Sequence, residues 1–168
     1  DLSADGLQDG NNMRNLLFLQ ALDRMRAVVI DGEPSLEPAD ALLAGDGSPS
    51  APYEIPSIPF THFADTSASP DSNLDVYTGC DSESDESGPE YIYRLEITET
   101  TRLRAIVLDL EGIDIDIHLL DHTATAEGCI LRDHHLVDTT LDAGTYHLAL
   151  DSWVDDEGDV LDGEYTLV

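Results

Sequence analysis

Lysine is absent from the 168 residues, and the seven basic side chains are all arginine: Arg14, Arg24, Arg26, Arg94, Arg102, Arg104 and Arg132. Against them stand 36 acids, for a formal net charge of −29. A chain so poor in positive charge has no patch with which to neutralise phosphates, which excludes nucleic acid and an anionic membrane surface as partners. Long apolar runs are missing too. The best candidate, LLFLQALDRMRAVVI at 16–30, is broken by Asp23, Arg24 and Arg26, so it falls short of the roughly 18–20 clean residues of a bilayer span. The chain begins on Asp1 without a basic and apolar leader, and the expectation is a mature or excised piece of something longer. Cysteine is nearly missing: only Cys80 and Cys129 occur, and neither has a Cys or His neighbour at zinc-finger spacing.

What is present sets the class. Apolar residues make up 41 % of the chain, enough for a core and too many for wholesale disorder. The acid excess repels itself at low ionic strength, and salt screens it. This lysine-free, acid-rich balance resembles that of marine or salt-adapted secreted proteins. In an extracellular setting Cys80 and Cys129 are expected to bridge, the alternative being two buried thiols. Closing a loop of that length stabilises by on the order of 4 kcal/mol in the chain-entropy description.

Three zones follow along the chain. Residues 1–12 read as an acidic, Gly/Asn-rich loop. Met13, Leu16, Leu17, Leu22, Met25 and Val29 then recur near helical spacing, predicting a helix over 13–30 with Asn12 as its cap. A second short helix is expected over 38–44, with Pro38 in its first turn and Gly45 ending it. Four prolines in DGSPSAPYEIPSIP mark 46–59 as an extended linker. Beyond Phe60 short strands alternate with turns: 90–97, 103–110, 113–120, 129–137, 145–151 and the closing EYTLV, with DSESDESGPE at 81–90 as an acidic surface loop. The expected fold is mainly β, an antiparallel, jelly-roll-like β-sandwich preceded by a short α-helical segment. Its zones are 1–45, the linker at 46–59 and the sandwich at 60–168.

The stretch GIDIDIHLL at 112–120 places Asp114, Asp116 and His118 on one face of a strand, because residues two apart share a face. Three readings compete: the solvent side of a sheet, a calcium site, or paired carboxylates for acid–base work. In the calcium reading Asp114 and Asp116 join oxygens from Asp151 and Asp155, with Asp156 and Asp159 as further candidates. His118 and His122 have i, i+4 spacing but sit at a strand end, and no H-E-x-x-H or G-x-S-x-G motif occurs. Trp153 is read as packing, or as a platform for a sugar or peptide.

Three segments together resemble a known family: GPEYIYRLEI at 88–97, IDIDIHLL at 113–120, and LDAGTYHLALDS at 141–152 followed by GEYTLV at 163–168. In order and spacing they resemble the bacterial pre-peptidase C-terminal domain, over about 57–168. His118 and His147 stand where aromatic residues are expected. The resemblance implies a β-sandwich appended to a secreted peptidase or other exported hydrolase. It implies a non-catalytic role in stability, secretion or attachment, with a catalytic domain of the same parent chain as partner and calcium in some relatives. The alternative is an adhesion module for a polysaccharide or protein surface.

Residues 1–12 resemble an EF-hand or dockerin-type calcium loop: Asp1, Ser3, Asp5 and Asp9 supply alternating oxygens, Gly6 the sharp turn and Leu7 a carbonyl. Asn12 departs, since it lacks the charged bidentate grip of Glu or Asp at that position. A second half, DGEPSLEPADALL at 31–43, lacks the loop glycine.

Overall fold

A computed structural model of the chain describes residues 43–168. The calcium-loop residues Asp1, Ser3, Asp5, Leu7, Asp9 and Asn12 and the helix expected at 13–30 lie outside the described residues. So does the helix expected at 38–44, except Leu43 and Ala44, which form a bend.

Nine strands form among the described residues: β1 (Tyr53–Glu54), β2 (His62–Asp65), β3 (Glu90–Ile97), β4 (Thr101–Asp109), β5 (Ile115–Leu120), β6 (Cys129–Asp133), β7 (Leu136–Leu141), β8 (Gly144–Ser152) and β9 (Glu164–Leu167). They make a five-stranded sheet in the order β1-β3-β8-β5-β6 and a four-stranded sheet in the order β2-β9-β4-β7. All pairings are antiparallel except the short parallel contact of β1 with β3. The sheets pack face to face because each presents every second side chain as hydrocarbon. Tyr91, Tyr93, Leu95, Ile115, Ile117, Leu119, Leu148 and Leu150 from one sheet meet Leu103, Ala105, Val107, Val137, Tyr165 and Leu167 from the other.

Two expectations shift. The proline-rich 46–59 is not a free spacer: Ile92 N–H donates to Gly47 O at 2.8 Å, Ile55 N–H to Arg94 O at 2.9 Å, and Tyr53 packs on the core. The run 129–137, read as one strand, is two. It turns at Asp133, whose carboxylate accepts from the backbone of His135 and Leu136, and β7 leaves for the other sheet.

The five-stranded sheet has a second apolar layer on its outer face. Residues 66–89 cross it, and Leu74 and Tyr77 pack on Ile92, Leu120, Ala149 and Cys129. This covering segment is rich in Ser, Asp and Pro and forms only 3₁₀ turns, at Thr66–Ala68 and Thr78–Cys80. It is held instead by many single ties. Ser69 Oγ donates to Glu90 O at 2.6 Å, Ser152 Oγ to Pro89 O at 2.8 Å, and Val154 N–H to Asp85 O at 2.9 Å. The Cys80–Cys129 disulfide, with a Cα–Cα distance of 5.2 Å, fastens it to β6. Gly79 allows that approach, since a Cβ there would stand 2.3 Å from Glu127 O.

Candidate functional site: a covered row of carboxylates

The strand β5 alternates in chemistry but not in exposure. Ile115, Ile117 and Leu119 face the main core. Asp116 and His118 face the other way, yet they are 1 % and 0 % exposed. The solvent-side reading of this face is therefore corrected: the covering segment lies over it. Sheet register assembles the rest. Asp151 of β8 lies opposite Asp116 of β5 and opposite Glu90 of β3, so three acids form one row across adjacent strands. Glu86 of the covering segment joins them from above, and Glu86, Glu90 and Asp151 are all fully buried.

Each group has a definite setting. Arg132 of β6 contacts Asp116 and reaches Glu86 Oε1 at 3.2 Å. Tyr77 stacks flat on His118 at 3.5 Å between ring centroids and donates its hydroxyl to Asp151 Oδ2 at 2.6 Å. Glu90 accepts Asn73 N–H on both oxygens, at 3.0 and 3.1 Å. Burial pushes the Glu86 carboxyl up to about 9, helped by Asp116 beside it and opposed by Arg132. Burial lifts Glu90 to about 7 and Asp151 well above the carboxylate range. Burial drives His118 down to about 3, against the pull of Asp116, so its imidazole is neutral.

At the rim, His134 Nδ1 lies 2.9 Å from Asp114 Oδ1 and 3.1 Å from Asp116 Oδ1. These three side chains are close enough to share an ion. The donor set does not fit calcium, which takes six to eight oxygens. Here one of three donors is a nitrogen, and Arg132 already sits on Asp116. The other acids of the calcium expectation are engaged by other partners, although Asp151 lies opposite Asp116. Asp151 is engaged by Tyr77 beneath the covering segment. Asp155 caps its own turn, accepting from the backbone of Glu157 and Asp159 at 3.0 and 2.8 Å. His118 and His122 do not converge, since one is sealed and the other is exposed. Trp153 lines an open groove of about 730 Å³ with Glu83, Asp85, Asp155, Asp156 and Glu157.

The sequence reading missed Tyr77, Glu86, Glu90, Arg132 and His134. Glu86 and Glu90 were hidden in DSESDESGPE, which reads as surface by composition alone. Arg132 carried a usable signal: with so few cations in the chain, an arginine between apolar strand residues invites a search for buried acids.

A matching solved structure is the pre-peptidase C-terminal domain of collagenase from Bacillus anthracis, at 15 % identity and a TM-score of 0.41 over 64 % of this chain and 85 % of that one. This chain is similar to that domain. No family model matches, and no curated protein matches. Among the described residues, no helix is long and apolar enough to cross a membrane.

Proposed function

We propose that residues 43–168 are a non-catalytic accessory module of a secreted bacterial hydrolase, a peptidase by the motifs resembling the pre-peptidase C-terminal domain. The observation that carries the reading is the use made of the chemistry-bearing residues. Asp116, His118, Asp151, Glu86 and Glu90 are buried between a covering segment and a sheet rather than lining a cleft. The disulfide supports an oxidising, extracellular setting. Attachment to a catalytic domain of the same polypeptide is tested by peptide mass spectrometry of the source organism's culture supernatant. Peptides from 43–168 are expected in one band with a hydrolase. Turnover of peptide, ester or glycoside substrates by this chain alone, lost in Asp116→Asn, would sink the reading.

Calcium, in this proposal, belongs to residues 1–12, where the alternating oxygens of Asp1, Ser3, Asp5 and Asp9 support it. Melts in excess calcium, magnesium and chelator at fixed sodium chloride check this. A gain with calcium alone, lost in Asp5→Ala and kept in Asp116→Asn, is the expected pattern. A second reading, an adhesion module, is favoured by the Trp153 groove. Its five carboxylates suit a cationic protein segment better than a neutral polysaccharide. Trp153 fluorescence titrated with an arginine-rich peptide and with oligosaccharides separates the two.

A further inference from the structure

The covered row holds more acid than its neighbours can neutralise. Glu90, Asp151 and Asp116 are opposite one another on adjacent strands, and Glu86 descends to the same arginine as Asp116. All four are at most 1 % exposed. The groups facing them are known from every element packed there. The covering segment brings Tyr77, the Asn73 N–H, and the further acids Asp71 and Asp75 near Glu90. From β5 comes His118, whose Nε2 is 3.8 Å from Glu86 Oε1, and from β6 comes Arg132. His134 reaches only Asp114 and Asp116 at the rim. One guanidinium and a neutral imidazole cannot balance four buried carboxylates, and like charges directly opposite on neighbouring strands repel.

We propose that the covering segment is shut by protons: Glu86, beside Asp116, and the Glu90–Asp151 pair keep them at neutral pH, and losing them loosens residues 66–89 from the sheet. Glu86 Oε2 and Asp151 Oδ1 are buried with no hydrogen-bond donor among the described residues. A bare oxygen in that position is costly as carboxylate and tolerable as hydroxyl. The upward shifts of Glu86, Glu90 and Asp151 by burial agree. On opening, Leu74 and Tyr77 leave Ile92, Leu120 and Ala149, while the disulfide keeps the segment tethered to β6.

The composition makes the release readable. The chain has no lysine, and both cysteines are bridged. Few ordinary groups therefore titrate between about pH 7.5 and 9.5. The test is hydrogen exchange on the full chain from pH 6 to 9 at fixed sodium chloride, corrected for intrinsic exchange rates. Protection in 70–88 is expected to fall by up to about tenfold per pH unit for each proton retained only in the closed state, while β3 and β8 hold theirs. Glu86→Gln, which fixes that group neutral, is expected to remove much of the fall, and Glu83→Gln, on an exposed part of the segment, to leave it. Protection independent of pH, or falling equally in Glu86→Gln, overturns the proposal. Carboxyl carbon resonances of the unmutated chain give an independent reading: some must titrate above pH 6.5, and completion of every carboxyl titration below pH 6 overturns it as well.

Discussion

Tyr77 does two things with one side chain. Its ring covers His118, and its hydroxyl supplies Asp151 with a donor at 2.6 Å. Tyr77→Phe keeps the ring and removes the donor, leaving Asp151 with less to hold it. A loss of about 1–3 kcal/mol is expected in urea melts, as for other buried polar groups stripped of a partner. Tyr77→Ala also removes the packing and should cost about 3–5 kcal/mol. If Phe and Ala cost the same, the hydroxyl rather than the ring carries the contact. The pH profile of stability follows from the same residues. Glu86 rises in the folded state from an ordinary 4.5 to about 9, and Glu90 from 4.5 to about 7. Both therefore bind protons more tightly when folded, and stability falls as pH rises through those intervals. His118 drops from 6.5 to about 3, so its contribution falls as pH decreases from 6.5. Above about pH 6.5 the His118 contribution has levelled off, and the raised carboxyls of Glu86 and Glu90 give the slope a falling sign. The melting temperature is expected to decline from pH 6.5 to 9, and to decline less in Glu86→Gln. At this scale the sequence showed that Asp114, Asp116 and His118 share a face. It could not show that the face is covered, because burial is decided by a segment thirty residues away whose composition reads as surface.

The covering segment has no ladder of its own, so its ties are separable. Reducing the disulfide, or making Cys80→Ser with Cys129→Ser, releases a loop spanning 49 positions and should cost on the order of 4 kcal/mol. Hydrogen exchange should then rise first in 70–88 and only later in β3 and β8; simultaneous exchange would mean the segment and the sheet open as one unit. Gly79→Ala should weaken the same corner, because its Cβ would meet the backbone at Glu127 and Cys129; slower bridge formation on refolding in a redox buffer is the readout. The strands were the most legible elements. Alternation placed β3, β5 and β8, a nearly continuous apolar run placed β4, and the end of an acidic loop placed β9, each within a residue or two of its observed bounds. The short β1 and β2 escaped because two to four residues carry too little period, and proline near β1 argued for a spacer. The break between β6 and β7 escaped because CILRDHHLV has no Gly or Pro at the turn. Asp133 makes that turn with its side chain instead.

Across the whole molecule the charge is lopsided, at −29. Sodium chloride shortens the screening length from about 10 Å at 0.1 M to about 3 Å at 1 M. The melting temperature should therefore climb over that range, with sodium chloride and potassium chloride nearly interchangeable. A flat response would mean the acids are spaced widely enough not to matter. The sandwich class was legible from strand count and turn spacing, whereas the sheet order was not, because it depends on which strands are neighbours in space. That order has a topological outcome. The bridge from Cys80 to Cys129 closes a covalent ring that contains β3, β4 and β5, while β8 lies outside it and sits between β3 and β5 in the sheet. A strand from outside is thus inserted between two strands of the ring. A nascent chain that has not yet made residues 144–152 cannot assemble this sheet even if its bridge has formed, so closure waits for the carboxyl-terminal part to arrive.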